Sequence, residues 1–294
     1  MRLGAPAGTA RRMLDARFDV LARGFCAIRS RNSGFSLIEL AITLVIVGVL
    51  ASSVLVPLVS QMAARNIAVT EKTLSEIKDA LVGFAAATGR LPCPASDTGG
   101  SAINNGAESF TLTAPVGTPA NGKCESFYGY LPAVTLGINP VDDRGYAVDG
   151  WGSTQNRIRY AVSNRTVNGI QNPFTSANGM RNATMSALSD PNTTFFHVCS
   201  SGVGVAGGAS PNCGAALTLT SKAPVVIWSL GANAATGGAS TDEAQNPNPN
   251  GSVPDVIFVS HSMSAIAANP FDDLVTWVGV PTLFNRMIAS GQLP

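Results

Sequence analysis

Charge is what this chain has least of. Asp, Glu, Lys and Arg make up 13% of its 294 residues, where a soluble domain ordinarily carries about 25%. Gly, Ser, Thr, Asn and Ala fill the deficit, giving the polar but largely uncharged surface of an exported protein rather than a cytosolic enzyme. A net charge of +1 gives no sign of nucleic acid as a partner. Histidine is scarce as well, with only His197 and His261. The chain has no G-x-S-x-G, no H-E-x-x-H and no phosphate-binding G-x-x-x-x-G-K. Serines flank His261 in VSHSMS, but neighbours in sequence are not a triad. The acidic pairs Asp142-Asp143 and Asp272-Asp273 would face opposite sides of a strand, which is poor for joint acid–base work, and they read as turn or rim residues. The expectation is a protein that is not an enzyme. No internal repeat is present.

What the chain does have is one long greasy run. From Leu40 to Ala64 there is no charged side chain, more than the roughly 20 apolar residues a helix needs to cross a bilayer. A cleaved signal peptide has a shorter apolar region and a small-x-small site. This run contains Pro57, and the QMAARNIAV after it offers no A-x-A, so a retained membrane helix is expected. Residues 1–34 hold seven arginines against Asp15 and Asp19, while the remainder holds 12 basic and 16 acidic residues. By the positive-inside rule the N-terminus stays in the cytoplasm and the rest is exported. Ile67, Leu74, Ile77, Leu81 and Phe84 continue the helix as a single apolar seam. Gly89 after Thr88 is a left-handed C-cap candidate, and Pro92 and Pro94 forbid continuation.

The stretch GFSLIEL, Gly34 to Leu40, followed by a charge-free run, resembles the processing signal of type IV prepilins and type II secretion pseudopilins. In that family a prepilin peptidase cuts after the glycine and methylates the new N-terminal residue. The resemblance implies that Gly34 ends the leader, that Phe35 begins the mature chain, and that Glu39 is its fifth residue, where that family keeps a glutamate. It also places Gly48 and Pro57 where pilin helices loosen or bend. Both Met1 and Met13 are compatible with a leader of this kind. The physics agrees: cutting creates an α-amine at Phe35, cationic near neutral pH. Glu39 of a neighbouring subunit can pair with that amine, which offsets the desolvation of a carboxylate held in hydrocarbon.

Removal of residues 1–34 takes Cys26 and leaves Cys93, Cys124, Cys199 and Cys213. An even set in an oxidising compartment reads as disulfides, with three connectivities open. Cys93–Cys124 and Cys199–Cys213 are favoured because each closes a Gly/Asn/Ser-rich loop. The rival, a zinc site of Cys199, Cys213, His197 and His261, lacks paired C-x-x-C spacing.

Beyond Cys93 short β-rich runs lie at 158–162, 195–199, 215–220, 224–230, 256–261 and 274–278, with a last helix at 281–289 and a long polar loop at 231–251. The expected fold is α+β and pilin-like: a long N-terminal helix packed along an antiparallel sheet. The expected divisions are a leader at 1–34, a transmembrane and polymerisation helix at 35–60, its amphipathic continuation at 61–90, and a periplasmic or extracellular domain at 91–294. Two further stretches resemble pseudopilin features. DGWGSTQNRIRYAV, Asp149 to Val162, is similar to their D-x-W-G-x-x-Y element. SLGANAATGGASTDEAQN, Ser229 to Asn246, is similar to an S-L-G-A-D-G loop that helps hold calcium. That resemblance makes Asn233, Asp242, Glu243 and Asp255 weak calcium candidates, against a plain solvated turn; no other cofactor is expected.

The functional expectation is a minor pilin or pseudopilin of a type IV pilus, DNA-uptake or type II secretion filament. It would sit in the bacterial inner membrane before assembly, with other pilin subunits, prepilin peptidase and an inner-membrane assembly platform as partners. The alternatives are a filament-tip adhesin using loops around Asp242 and, behind that, a membrane-anchored periplasmic enzyme.

Overall fold

The computed structural model of the chain describes residues 36–96, 105–109, 124–207, 210–236, 240–246, 256–266 and 268–294; within 53–58 only the backbone is described. Two compact units are present, residues 1–56 and 57–294. Helix α1 spans Leu37–Thr88. In the first unit its side chains meet no core: ten large apolar residues between Leu37 and Leu50 are exposed. Among the described residues no helix is long and apolar enough to cross a membrane. The expected span of 35–60 includes Phe35 and the side chains of 53–58, which lie outside the described residues.

In the second unit α1 has one buried stripe, Leu74, Ile77, Leu81 and Ala85, at the three- and four-residue spacing of a helix face. Thr70 and Thr73 are buried on the same side. Their hydroxyls donate to the carbonyls of Asn66 (2.8 Å) and Val69 (2.9 Å), so neither is left unsatisfied. Gly89 ends the helix at φ +76°, its N–H bonding the Ala85 carbonyl at 2.9 Å.

Against that stripe lies a four-stranded antiparallel sheet in the order β1-β2-β5-β7, formed by Tyr128–Tyr130, Arg159–Val162, Val225–Ser229 and Leu274–Val278. Tyr160, Val162, Val225 and Ile227 share a core with Leu74, Ile77 and Leu81 of α1. The opposite face, with Ala161, Val226 and Trp228, packs on Phe196, Val198 and Phe258 of a second sheet. Strands β2 and β5 are therefore buried on both sides, which is why their sequences run without polar alternation. The second sheet, β4-β3-β6, is built from Thr218–Ala223, Phe196–Cys199 and Ile257–Val259. Three short helices, α2 (Ala133–Leu136), α3 (Gly179–Ala183) and α4 (Met185–Ser189), lie between strands, and α5 (Val280–Ala289) buries Leu283, Phe284 and Met287 in the same core as α1.

Several expectations are corrected. Among the described residues there are two sheets, and β3 pairs β6 in parallel, His197 facing Ile257 and Cys199 facing Val259. Parallel neighbours need a long connection, and here the chain supplies one by crossing at Pro224 from β4 into β5 of the other sheet before it returns. The strand expected at 215–220 lies three residues later, because Cys213 to Ala216 make a turn closed by an Ala216 N–H to Cys213 carbonyl bond. Strand β1 was not expected. It depends on Gly129, where a Cβ would come within 2.6 Å of the Ala95 carbonyl oxygen.

Candidate functional site

Cys93–Cys124 and Cys199–Cys213 are disulfides, with Cα separations of 5.4 and 5.5 Å. The second removes both thiolates from the zinc set. His197 is buried, its Nδ1 without a partner, and His261 stands elsewhere, stacked on Phe271 at 3.9 Å between ring centres. Both nitrogens of His261 face oxygen: Nε2 lies 3.0 Å from Asp242 Oδ2 and Nδ1 lies 2.7 Å from the Ser262 carbonyl. Neither is turned to a serine hydroxyl. Asp142 pairs with Arg157 Nε at 2.6 Å and takes the backbone N–H groups of Arg144 and Tyr146, a turn-forming role.

The two stretches resembling pseudopilin features meet. Asp149 accepts the N–H groups of Trp151 (2.8 Å) and Gly152 (3.3 Å) on one oxygen, and Asn156 Nδ2 (2.9 Å) and the Ser229 hydroxyl on the other. Burial raises the pKa of Asp149, and those hydrogen bonds pull against the rise. Asn156 also donates to the Gly231 carbonyl at 2.6 Å. Gly150 brings this turn onto α1: a Cβ would sit 2.3 Å from the Asn66 carbonyl, and its N–H reaches Thr70 Oγ1 at 2.9 Å.

In its described residues the loop after β5 is not a plain solvated turn. Ser240, Asp242, Glu243 and Asn246 are all buried. Pairing of Ser229 with Leu274 across β5 and β7 brings Leu230–Asn233 alongside Asp272 and Asp273. Gly231 is required there on two counts: its φ is +64°, and a Cβ would lie 2.3 Å from the Asp272 carbonyl oxygen. Asn233 donates its backbone N–H to Asp272 Oδ2 (3.0 Å) and its amide to Glu243 Oε1 (2.9 Å). Asp273 accepts from Asn246 Nδ2 at 2.6 Å, and Asn246 in turn takes the Val259 N–H at 2.9 Å.

The result is a group of three carboxylates, Glu243, Asp272 and Asp273, each offering an oxygen within 4.8 Å of the others. Burial, followed by the neighbouring acids, pushes Asp273 up to about 8 and Asp272 up to about 6, against hydrogen bonds from Asn246 and Asn233. Three buried oxygens here have no hydrogen-bond partner among the described residues: Glu243 Oε2, Asp272 Oδ1 and Asn233 Oδ1. Hard oxygen donors left unpaired beside one another fit a cation such as calcium.

Of the residues implicated by resemblance, Glu243 is in this group and Asn233 is hydrogen-bonded to it. Asp242 is not: its oxygens are engaged by Ser201, Gly202, Asn269 and His261. Asp255 lies outside the described residues, as do Gly34 and Phe35. Asp272 and Asp273, read from sequence as rim residues facing apart, are the members that sequence reasoning missed. Their signal was their place just before a strand that pairs with the Ser229 segment. Glu39 stands in the first turn of α1, exposed, and nothing lies within 4 Å of a Cβ built on Gly48.

A comparison with known families decides how the N-terminal segment is read, since residues 29–55 match the model of the prokaryotic N-terminal methylation motif. The chain carries the signature of type IV pilins and pseudopilins. Gly34, Phe35, Glu39 and Gly48 all fall within the matched residues. No curated protein and no solved structure matches the chain.

Proposed function

We propose that the protein is a minor pilin or pseudopilin, a structural subunit of a type IV pilus-like or type II secretion-like filament. Prepilin peptidase cuts it after Gly34 and methylates Phe35. The apolar half of α1 then holds it in the inner membrane and later packs among the same helices of neighbouring subunits. The observation that carries this reading is the methylation motif at 29–55, continuous with ten large apolar side chains that no core covers. A surface of that kind requires lipid or other helices. Glu39, at the start of the run, is the contact that sets register by pairing with the Phe35 amine of a neighbour. The test is Glu39→Ala in the native host. The variant is expected to be cut normally yet be missing from sheared or purified filaments, and wild-type levels in filaments would contradict the assignment.

We further propose that Glu243, Asp272, Asp273 and Asn233 hold a divalent cation, calcium by the chemistry of the donors. The cation supplies positive charge to a group of acids that otherwise crowd one another in a buried place. A tip-subunit reading has support of its own in Val203 and Ile266, 61% and 68% exposed, on loops that Asp242 gathers.

A further inference from the structure

Asp242 and Glu243 are adjacent in sequence and committed to different surroundings. Asp242 Oδ1 accepts from the Ser201 hydroxyl at 2.9 Å and from the Gly202 N–H; Oδ2 accepts from Asn269 Nδ2 at 2.6 Å and from His261 Nε2 at 3.0 Å. A carboxylate offers about four acceptor sites, so none is left for a cation. The four donors come from three separate segments, and the first lies inside the loop closed by Cys199–Cys213. Gly202 is required at its position, since a Cβ would sit 2.5 Å from the Thr241 carbonyl oxygen. One residue later the chain enters the short 3-10 helix Glu243–Gln245; Glu243 groups with Asp272 and Asp273, and its buried Oε2 has no hydrogen-bond partner among the described residues.

We infer that Asp242 is a positioning residue for the cation site and not one of its ligands. By holding Ser201, Gly202, His261 and Asn269 it fixes the backbone from which Glu243 enters the carboxylate group, and the Cys199–Cys213 disulfide is part of that anchor. The inference rests on the cation reading above. Losing the anchor means that Glu243 must be ordered at the moment of binding, so affinity falls while the number of protein ligands stays the same.

Terbium(III), a luminescent substitute for calcium, separates the two effects when titrated into the full chain in detergent. Intensity gives affinity, and the luminescence lifetime gives the number of waters left on the ion. Glu243→Gln and Asp272→Asn are expected to weaken binding and add water to the ion. Asp242→Asn is expected to weaken binding about 10- to 100-fold, the range for residues behind a metal's ligands, with the water count unchanged. Asn269→Ala keeps the Asp242 charge and removes one of its donors. It is expected to give a smaller loss with the same water count, and it carries the test if Asp242→Asn does not fold. An extra water in Asp242→Asn, or unchanged affinity in both anchor variants, overturns the inference. Absence of terbium uptake by the wild-type chain overturns the cation reading beneath it.

Discussion

Asp273 holds a proton at a pH where an exposed aspartate has long lost it, because burial and the acids beside it push its pKa up to about 8. That sets an unusual sign for the pH dependence of stability. The folded state binds the proton between about pH 4 and 8 and the unfolded state does not, so the contribution is complete below the unfolded pKa and lost as pH rises towards 8. Asp272, pushed up to about 6, adds to the lower part of the same window. With divalent cations chelated, melting temperature is expected to fall from pH 4 to pH 8. Calcium is expected to reduce that fall, and Asp273→Asn to flatten it without calcium. A melting temperature that rises through this window in the chelated wild type would contradict the assignment. None of this was legible in the pair Asp272-Asp273 itself. Glu243 lies 29 residues before Asp272, and it comes near only in the fold, where the Asn233 amide and the Asp272 backbone N–H both donate to its Oε1.

At the scale of elements, α1 was the most legible, because a 3.6-residue period, a left-handed glycine and two prolines are local signals. Of the expected seam, Leu74, Ile77 and Leu81 are buried in the core, Ile67 and Phe84 are only half-buried, and Ala85 continues the stripe in place of Phe84. Leu81 is wholly buried, so Leu81→Ala is expected to destabilise the chain by about 2–5 kcal/mol. Val69, 44% exposed on the same helix, gives the contrast: Val69→Ala is expected to change stability by no more than about 0.5 kcal/mol. Equal effects in chemical denaturation would mean that the helix packs by another face. The strands were legible in number more than in arrangement. Runs such as VVIWS announce burial, but whether a strand pairs in parallel depends on a partner about 60 residues away, as β6 is from β3. The three-residue displacement of β4 follows from the Cys213 turn, whose position the disulfide fixes.

For the whole molecule, two systems of residues do separate work. In the proposed subunit, the matched motif at 29–55 and the bare apolar face of α1 would supply the means of assembly. The second unit gives what a filament would display: a helix, a four-stranded sheet and a three-stranded sheet, with a carboxylate group where the β5 loop meets the start of β7. The first system was readable from sequence because a processing signal is a short linear pattern that a peptidase reads as such. The second was not, because its chemistry arises only when distant loops are folded together. The proposed function requires a chain that has been cut and methylated at its N-terminal motif. Mass spectrometry of the protein isolated from its native membrane tests this most directly. The result predicted is a mature chain that begins at Phe35 and carries a single N-terminal methyl group. An uncut leader, or a chain that begins beyond residue 60, would contradict it.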